Sequence, residues 1–185
     1  KGLENAKYID QPRYLTQLYM YAGDYYAKQN DLNKAITFYQ KGLEIATKIK
    51  RVFDIYDFHY LLGDLFLKLE NPDRAITHLN ASHQYFESVG NTLQDVEALM
   101  LLGAAFIAKK DFDQAEPLLL QAFHTFEELG NKSFKGRAAI KLADLYIAKN
   151  EQDKALLYLE EAQKLGAETE VFWLGQDVQE RSFLL

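Results

Sequence analysis

The sequence predicts an all-α protein built as an array of antiparallel helix pairs. Three observations point there: the chain repeats itself every forty residues, each copy holds two stretches of amphipathic helical spacing, and helix-closing residue types stand between those stretches. A glycine column runs Gly23, Gly63, Gly103, with Ala143 in the fourth copy. Three residues on comes an aromatic column, Tyr26, Phe66, Phe106 and Tyr146. An alanine column follows at Ala35, Ala75, Ala115 and Ala155, then a bulky one at Tyr39, Leu79, Leu119 and Leu159. A small column closes each copy at Gly42, Ser82, Ala122 and Ala162. The register never slips, which marks a repeat array whose units bury their apolar faces by stacking on neighbours.

The elements follow in order. In the first helix Tyr14, Leu18, Tyr21 and Tyr25 run at helical spacing, with Leu15, Ala22 and Tyr26 beside them. The break falls at Gln29-Asn30-Asp31, where Asp31 is a good N-cap because its carboxylate accepts free amide hydrogens of the next turn. The second helix carries Ala35, Ile36, Tyr39, Leu43 and Ala46. In copy two Asn71 caps and Pro72 takes the first helical position, where its missing N–H costs nothing. In copy three Asp111 caps, with Gln114 three residues on as a loose capping box. In copy four the break is Lys149 to Asp153. Val89-Gly90-Asn91, Leu129-Gly130-Asn131 and Lys164-Leu165-Gly166 read as turns after second helices, since glycine adopts the left-handed conformation that closes a helix. The small columns let the helices of a pair approach closely, and the aromatic of the next turn fills the space beside them.

Composition narrows the function classes. The chain has 185 residues, 48% hydrophobic and 26% charged, and reads as globular. Its net charge of −6 argues against non-specific nucleic-acid binding. No run approaches the ~18 apolar residues of a membrane span, and the first residues do not read as a secretory signal. With no cysteine, disulfides and thiolate metal sites are excluded, which fits a reducing cytoplasm.

The columns match the tetratricopeptide repeat. They read Ala22-Gly23, Tyr26, Ala35, Tyr39; Leu62-Gly63, Phe66, Ala75, Leu79; Leu102-Gly103, Phe106, Ala115, Leu119; and Leu142-Ala143, Tyr146, Ala155, Leu159. The usual period is about 34 residues; forty resembles the longer-helix subgroup, which includes bacterial peptide-binding regulators, large transcriptional activators, sensor proteins and animal polarity adaptors. The resemblance implies a right-handed superhelical solenoid. It divides the chain into repeats 16–55, 56–95, 96–135 and 136–167, with 168–185 as a C-terminal capping helix or degenerate repeat. Lys1-Gly2-Leu3-Glu4 repeats Lys41-Gly42-Leu43-Glu44, so 1–10 read as the end of a preceding repeat and the chain as a piece of a longer protein.

The resemblance also implies a concave groove lined by first helices. It places there Gln17, Met20 and Asp24; Asp57, Tyr60, Asp64 and Leu67; Glu97, Met100 and Ile107; and Arg137, Ile140 and Asp144. Met20, Tyr60, Met100 and Ile140 form an apolar row beside the carboxylates of Asp24, Asp64 and Asp144, a mixture that suits a peptide ligand. Asp24 with Lys28, and Asp64 with Lys68, can equally be local i, i+4 helix pairs. Family members that clamp the carboxylate of a chaperone tail use Lys, Asn and Arg on this face; here Asp24 and Asp64 would repel it.

No catalytic constellation stands out. His59, His78, His83 and His124 lack the i, i+4 spacing of a helical zinc site, His59 falls on the hairpin-packing face, and His78 and His83 lie on second helices expected to face outward. Glu127-Glu128 and Glu160-Glu161 read as solvated helix ends. No cofactor or metal is expected. The expectation is a non-enzymatic, cytoplasmic module of a bacterial regulatory or signalling protein, binding a protein or a basic peptide with apolar anchors. It touches neither nucleic acid nor membrane. Two alternatives stand beside it: a scaffold that self-associates end to end through Leu3, Tyr8 and Ile9 or Phe183, Leu184 and Leu185, and a regulatory segment of an enzyme or transcription regulator whose activity lies outside this chain.

Overall fold

The computed structural model describes residues 12–169 and 172–182, and all nine elements among them are α-helices. They are α1 (Pro12–Lys28), α2 (Leu32–Lys48), α3 (Val52–Lys68), α4 (Pro72–Ser88), α5 (Thr92–Ala108), α6 (Phe112–Glu128), α7 (Lys132–Ala148), α8 (Gln152–Thr169) and α9 (Phe172–Ser182). The first seven are each 17 residues long. Two compact units divide the chain, 1–90 with α1 to α4 and 91–185 with α5 to α9.

The turns have a period of their own. The left-handed conformation recurs at Asn30, Lys50, Glu70, Gly90, Lys110, Gly130 and Asn150, twenty residues apart. At six of the helix ends the amide three residues past the last helical residue reaches back five positions. Asp31 N donates to Tyr26 O, Asn71 N to Phe66 O and Asp111 N to Phe106 O, each at 2.9 Å. This satisfies the orphan carbonyls of the closing turn, and the same residue then opens the next helix. The expected caps are in place: Asp31, Asn71 and Asp111 accept the amides of Lys34, Arg74 and Gln114 at 3.3, 3.3 and 3.4 Å.

The small columns do the work their chemistry suggests. A β-carbon built on Gly23 would lie 2.2 Å from the Tyr39 ring, and one on Gly63 or Gly103 would lie 2.5 Å from Cγ of Leu79 or Leu119. Glycine and bulky columns thus meet within each helix pair, sixteen residues apart. Gly42 does the same for Phe58, joining α2 to the next pair. In the second unit Ala115, Leu119, Ala122, Phe126, Ala138, Leu142 and Ala143 form one buried cluster with Ala155 and Leu159.

The helix pairs open at 12, 52, 92 and 132, four residues ahead of the motif positions 16, 56, 96 and 136. Two expectations need correction. Gly166 is not a turn: α8 runs through it to Thr169, since it stands forty residues after the buried Phe126, and the place of Gly130 falls at Glu170. On α1, Tyr14, Tyr21 and Tyr25 are 46%, 66% and 60% exposed, on the face whose counterpart in α3 presents Phe58 to Gly42. His78 does not face outward but meets His59. The helix α9 begins forty residues after α7 and packs on α8 and α7, where the first helix of a fifth repeat belongs. The expectations for 1–10 and for Leu3, Tyr8, Ile9, Phe183, Leu184 and Leu185 lie outside the described residues.

Candidate binding face

In the first unit the first helices α1 and α3 enclose a cleft of about 280 Å³, lined by Gln17, Met20, Tyr21, Arg51, Phe53, Asp54 and Asp57. Three residues picked from the sequence, Gln17, Met20 and Asp57, meet there. Helical geometry explains it: Gln17, Met20 and Tyr21 share one face of α1, and Asp54 and Asp57 share one face of α3.

A partly buried ion pair braces the cleft. Asp54 is only 7% exposed. Arg51 clasps it with two forked hydrogen bonds, Nε to Oδ2 at 2.5 Å and Nη2 to Oδ1 at 2.9 Å. The hydroxyl of Thr16, fully buried on α1, donates to Asp54 Oδ2 at 2.9 Å and so ties α1 to α3. Burial alone would raise the Asp54 carboxyl, but Arg51 and Thr16 outweigh it and hold it below the ordinary carboxylate range. Arg51 three residues before Asp54 was the available sequence signal. The partner at Thr16, 38 residues away, had none.

The remaining picks in this unit are engaged in different ways. Asp24 accepts from the Tyr39 hydroxyl at 2.6 Å, across the α1–α2 pair. Burial first, and Asp24 second, push the Tyr39 hydroxyl well above the usual phenol range. Asp64 pairs with Lys68 at 2.6 Å, the local i, i+4 alternative. Tyr60 and Leu67 are half-buried.

The second unit departs further from expectation. Met100 is fully buried and Ile140 is 3% exposed, so neither is an open anchor. Both belong to the core cluster, because α5 packs on α7 and α7 on α9, closing the face where these residues point. Glu97 and Ile107 are half-buried, and Ile107 packs on the cluster. Arg137 lies over the Phe134 ring at 5.0 Å. Asp144 is held by Arg181 of α9, Nε to Oδ1 at 2.5 Å and Nη2 to Oδ2 at 3.1 Å. A smaller pocket of about 200 Å³, lined by Arg137, Ile140, Lys141, Asp177 and Arg181, remains here. Its charge is net positive, against net negative for the first-unit cleft.

Among the described residues no group of three or more His, Cys, Asp or Glu is placed to hold a metal ion. No described helix is long and apolar enough to cross a membrane.

Antiparallel helix pairs in a fixed register, closed by small-against-bulky columns and presenting first helices side by side, define a helix-pair repeat protein. The chain belongs to the tetratricopeptide repeat family: sequence profiles of that repeat match residues 16–48, 54–128 and 95–166. No curated protein matches it in sequence. Among solved structures it is similar to BtubC from P. vanneervenii, at 19% identity and TM-score 0.75 over 88% of this chain and 67% of that one. It is similar to a Rap protein complexed with competence and sporulation factor, at 13% identity and TM-score 0.84 over 91% of this chain and 48% of that one. It is also similar to the Rap conjugation gene regulator of plasmid pLS20 in complex with the Phr* peptide, at 12% identity and TM-score 0.58 over 89% and 56%. The likeness is one of fold, and the chain spans between about half and two thirds of the length of these structures.

Proposed function

We propose that this chain is a peptide-binding tetratricopeptide module of a larger bacterial regulatory or signalling protein, with its ligand seated against the first helices of the first unit. The observation that carries the reading is the cleft between α1 and α3. There Met20, Tyr21 and Phe53 offer apolar walls, Gln17 and Asp57 offer polar groups at the rim, and the Arg51–Asp54 pair braces the structure. The lining is evenly mixed, and apolar walls beside a few fixed polar groups are a feature that small-ligand and peptide sites share. The peptide complex of a fold relative supports the same class of ligand. The negative balance of the cleft favours a peptide with an apolar anchor and net positive charge. Apolar contacts supply most of the affinity, and the carboxylates speed encounter and select sign.

The test is selection of displayed peptides against the whole chain, followed by anisotropy titrations of the winners. Cationic peptides with an apolar anchor are expected, with affinity reduced about tenfold or more by Met20→Ala and a slower on-rate in Asp57→Lys. Binding weakens as salt rises. Winners that are acidic, or indifferent to both substitutions, refute the reading.

A second reading, self-assembly, rests on Tyr14, Tyr21 and Tyr25, which expose a stripe of aromatic surface along α1. Sedimentation across a concentration series decides it: assembly that vanishes in Tyr25→Glu supports it, and a monomer throughout removes it.

A further inference from the structure

Each helix pair has one slot where its two helices meet beside the aromatic column. In the first pair it holds Tyr19 and Phe38, with ring centroids 6.3 Å apart. The register puts Leu99 and Leu118 there in the third pair, and Ala139 and Tyr158 in the fourth. The second pair alone fills it with two titratable groups, His59 on α3 and His78 on α4. Their Nδ1 atoms are 3.0 Å apart and their ring centroids 4.9 Å. His78 also stacks on Phe66 at 5.4 Å, as Phe38 stacks on Tyr26 in the first pair at 5.2 Å. Two half-buried imidazoles thus occupy a packing slot built for apolar side chains.

We infer that His59 and His78 form a proton-binding site that loosens the α3–α4 pair at mildly acid pH, and with it the face of α3 that lines the cleft. The contact requires one imidazole to donate and the other to accept, so the neutral pair is satisfied. A first proton is tolerated only within a single N–H···N bond. A second sets two cations 3.0 Å apart in a half-buried slot with no donor–acceptor match left.

On α4, Arg74 lies over the Phe66 ring at 3.9 Å and adds a third positive charge against His78. On α3, Tyr56 stands 5.9 Å from His59 and stacks on Tyr85 of α4 at 4.2 Å, closing that flank with neutral rings. Three carboxylates of the unit have other partners: Asp24 the Tyr39 hydroxyl, Asp54 the Arg51 guanidinium and Thr16, and Asp64 the Lys68 ammonium. Burial lowers both imidazoles, and His78, which also feels His59 and Arg74, is pushed down to about 4.

The sign follows. The unfolded chain takes up protons at both histidines from about pH 6.5 downward, while the folded pair does not. Stability is therefore unaffected well above pH 6.5, is lost as pH falls below it, and levels off only once the folded imidazoles take up their protons, near 4 for His78. The inference concerns stability and local opening and stands apart from the identity of any ligand.

The experiment replaces the slot with that of the first pair, His59→Tyr with His78→Phe, and measures hydrogen exchange of the whole chain at pH 7.5 and 5.0, corrected for intrinsic rates. In the wild type the opening constants of α3 and α4 amides should rise by at least about tenfold at the lower pH, with the α7–α8 amides nearly unmoved. In the variant that selective rise should disappear. A second variant, His59→Leu with His78→Leu, copies the third pair and covers the case in which the first does not fold. Equal pH dependence in wild type and variants overturns the inference. So does an NMR titration of the unaltered chain in which both imidazoles protonate near pH 6.5.

Discussion

Gly42 of α2 and Phe58 of α3 share one space: a β-carbon added to the glycine would sit 2.2 Å from the Phe58 ring. The ring is fully buried and has nowhere to retreat. In an isolated helix Gly→Ala stabilises by ~1 kcal/mol, so the sign of the effect here reports packing rather than propensity. Gly42→Ala is expected to destabilise by about 1–3 kcal/mol. Combining it with Phe58→Ala, which copies the Ala122 and Ala138 of the second unit, should cost less than the sum of the single changes. Urea denaturation of the cycle measures the coupling. A stabilised Gly42→Ala would contradict the contact. Overpacking of the alanine column by Ala75→Leu or Ala115→Leu should cost a similar amount, since both alanines are fully buried.

Ser82 stands in the same small column as Gly42, Ala122 and Ala162, and is fully buried. Among the described residues its hydroxyl oxygen has no hydrogen-bond partner. A buried hydroxyl without a partner costs roughly 1–3 kcal/mol. Ser82→Ala keeps the volume close and removes the orphan, so it should raise stability by about 1 kcal/mol. Calorimetry would show a higher Tm; a lower one would mean the hydroxyl is satisfied in solution.

Pro117 lies inside α6, five residues past its start, and is exposed. It removes one backbone donor from the ladder and crowds the preceding turn. The other second helices carry Thr37, Thr77 and Leu157 at this place. Pro117→Ala should therefore stabilise the chain by about 1–3 kcal/mol, read as a shift of the urea midpoint. No gain would show that the helix has already absorbed the defect near its N-terminus.

The repeat made much of this legible in advance. Column chemistry alone pairs Gly23 with Tyr39 and Gly63 with Leu79, because a fixed register turns one contact into a rule. The caps at Asp31, Asn71 and Asp111 were legible because their residue types have few other uses. The direction of the first helices was harder to read. In α5, Ala98, Leu99, Met100, Leu101 and Leu102 are all buried in succession, so no apolar stripe tells which side is open. The family register places Met100 and Ile140 in the groove, whereas the structure buries both. The left-handed turns at Lys50, Glu70 and Lys110 are not legible in the sequence, since those residue types do not advertise that conformation. Nor could Thr16 reveal Asp54, because their contact exists only once α1 lies against α3.

The last prediction concerns that contact. Asp54 titrates below the ordinary carboxylate range, so folding favours its charged form. Its contribution is complete above the unfolded value near pH 3.9 and is lost as pH falls through the lower folded value. Asp54→Asn keeps the shape but gives up the charge facing Arg51 and leaves the amide to satisfy a buried site. At pH 7 it should cost about 1–3 kcal/mol, with hydrogen-exchange protection falling in α1 and α3 together, since Thr16 transmits the loss across the cleft. At a pH below the lowered folded value the wild type gives up the same charge, and the gap between the two proteins should close. Urea melts at both pH values measure it. A gap that persists undiminished in acid would assign the loss to shape rather than charge, and the ion pair would no longer account for how the cleft is braced.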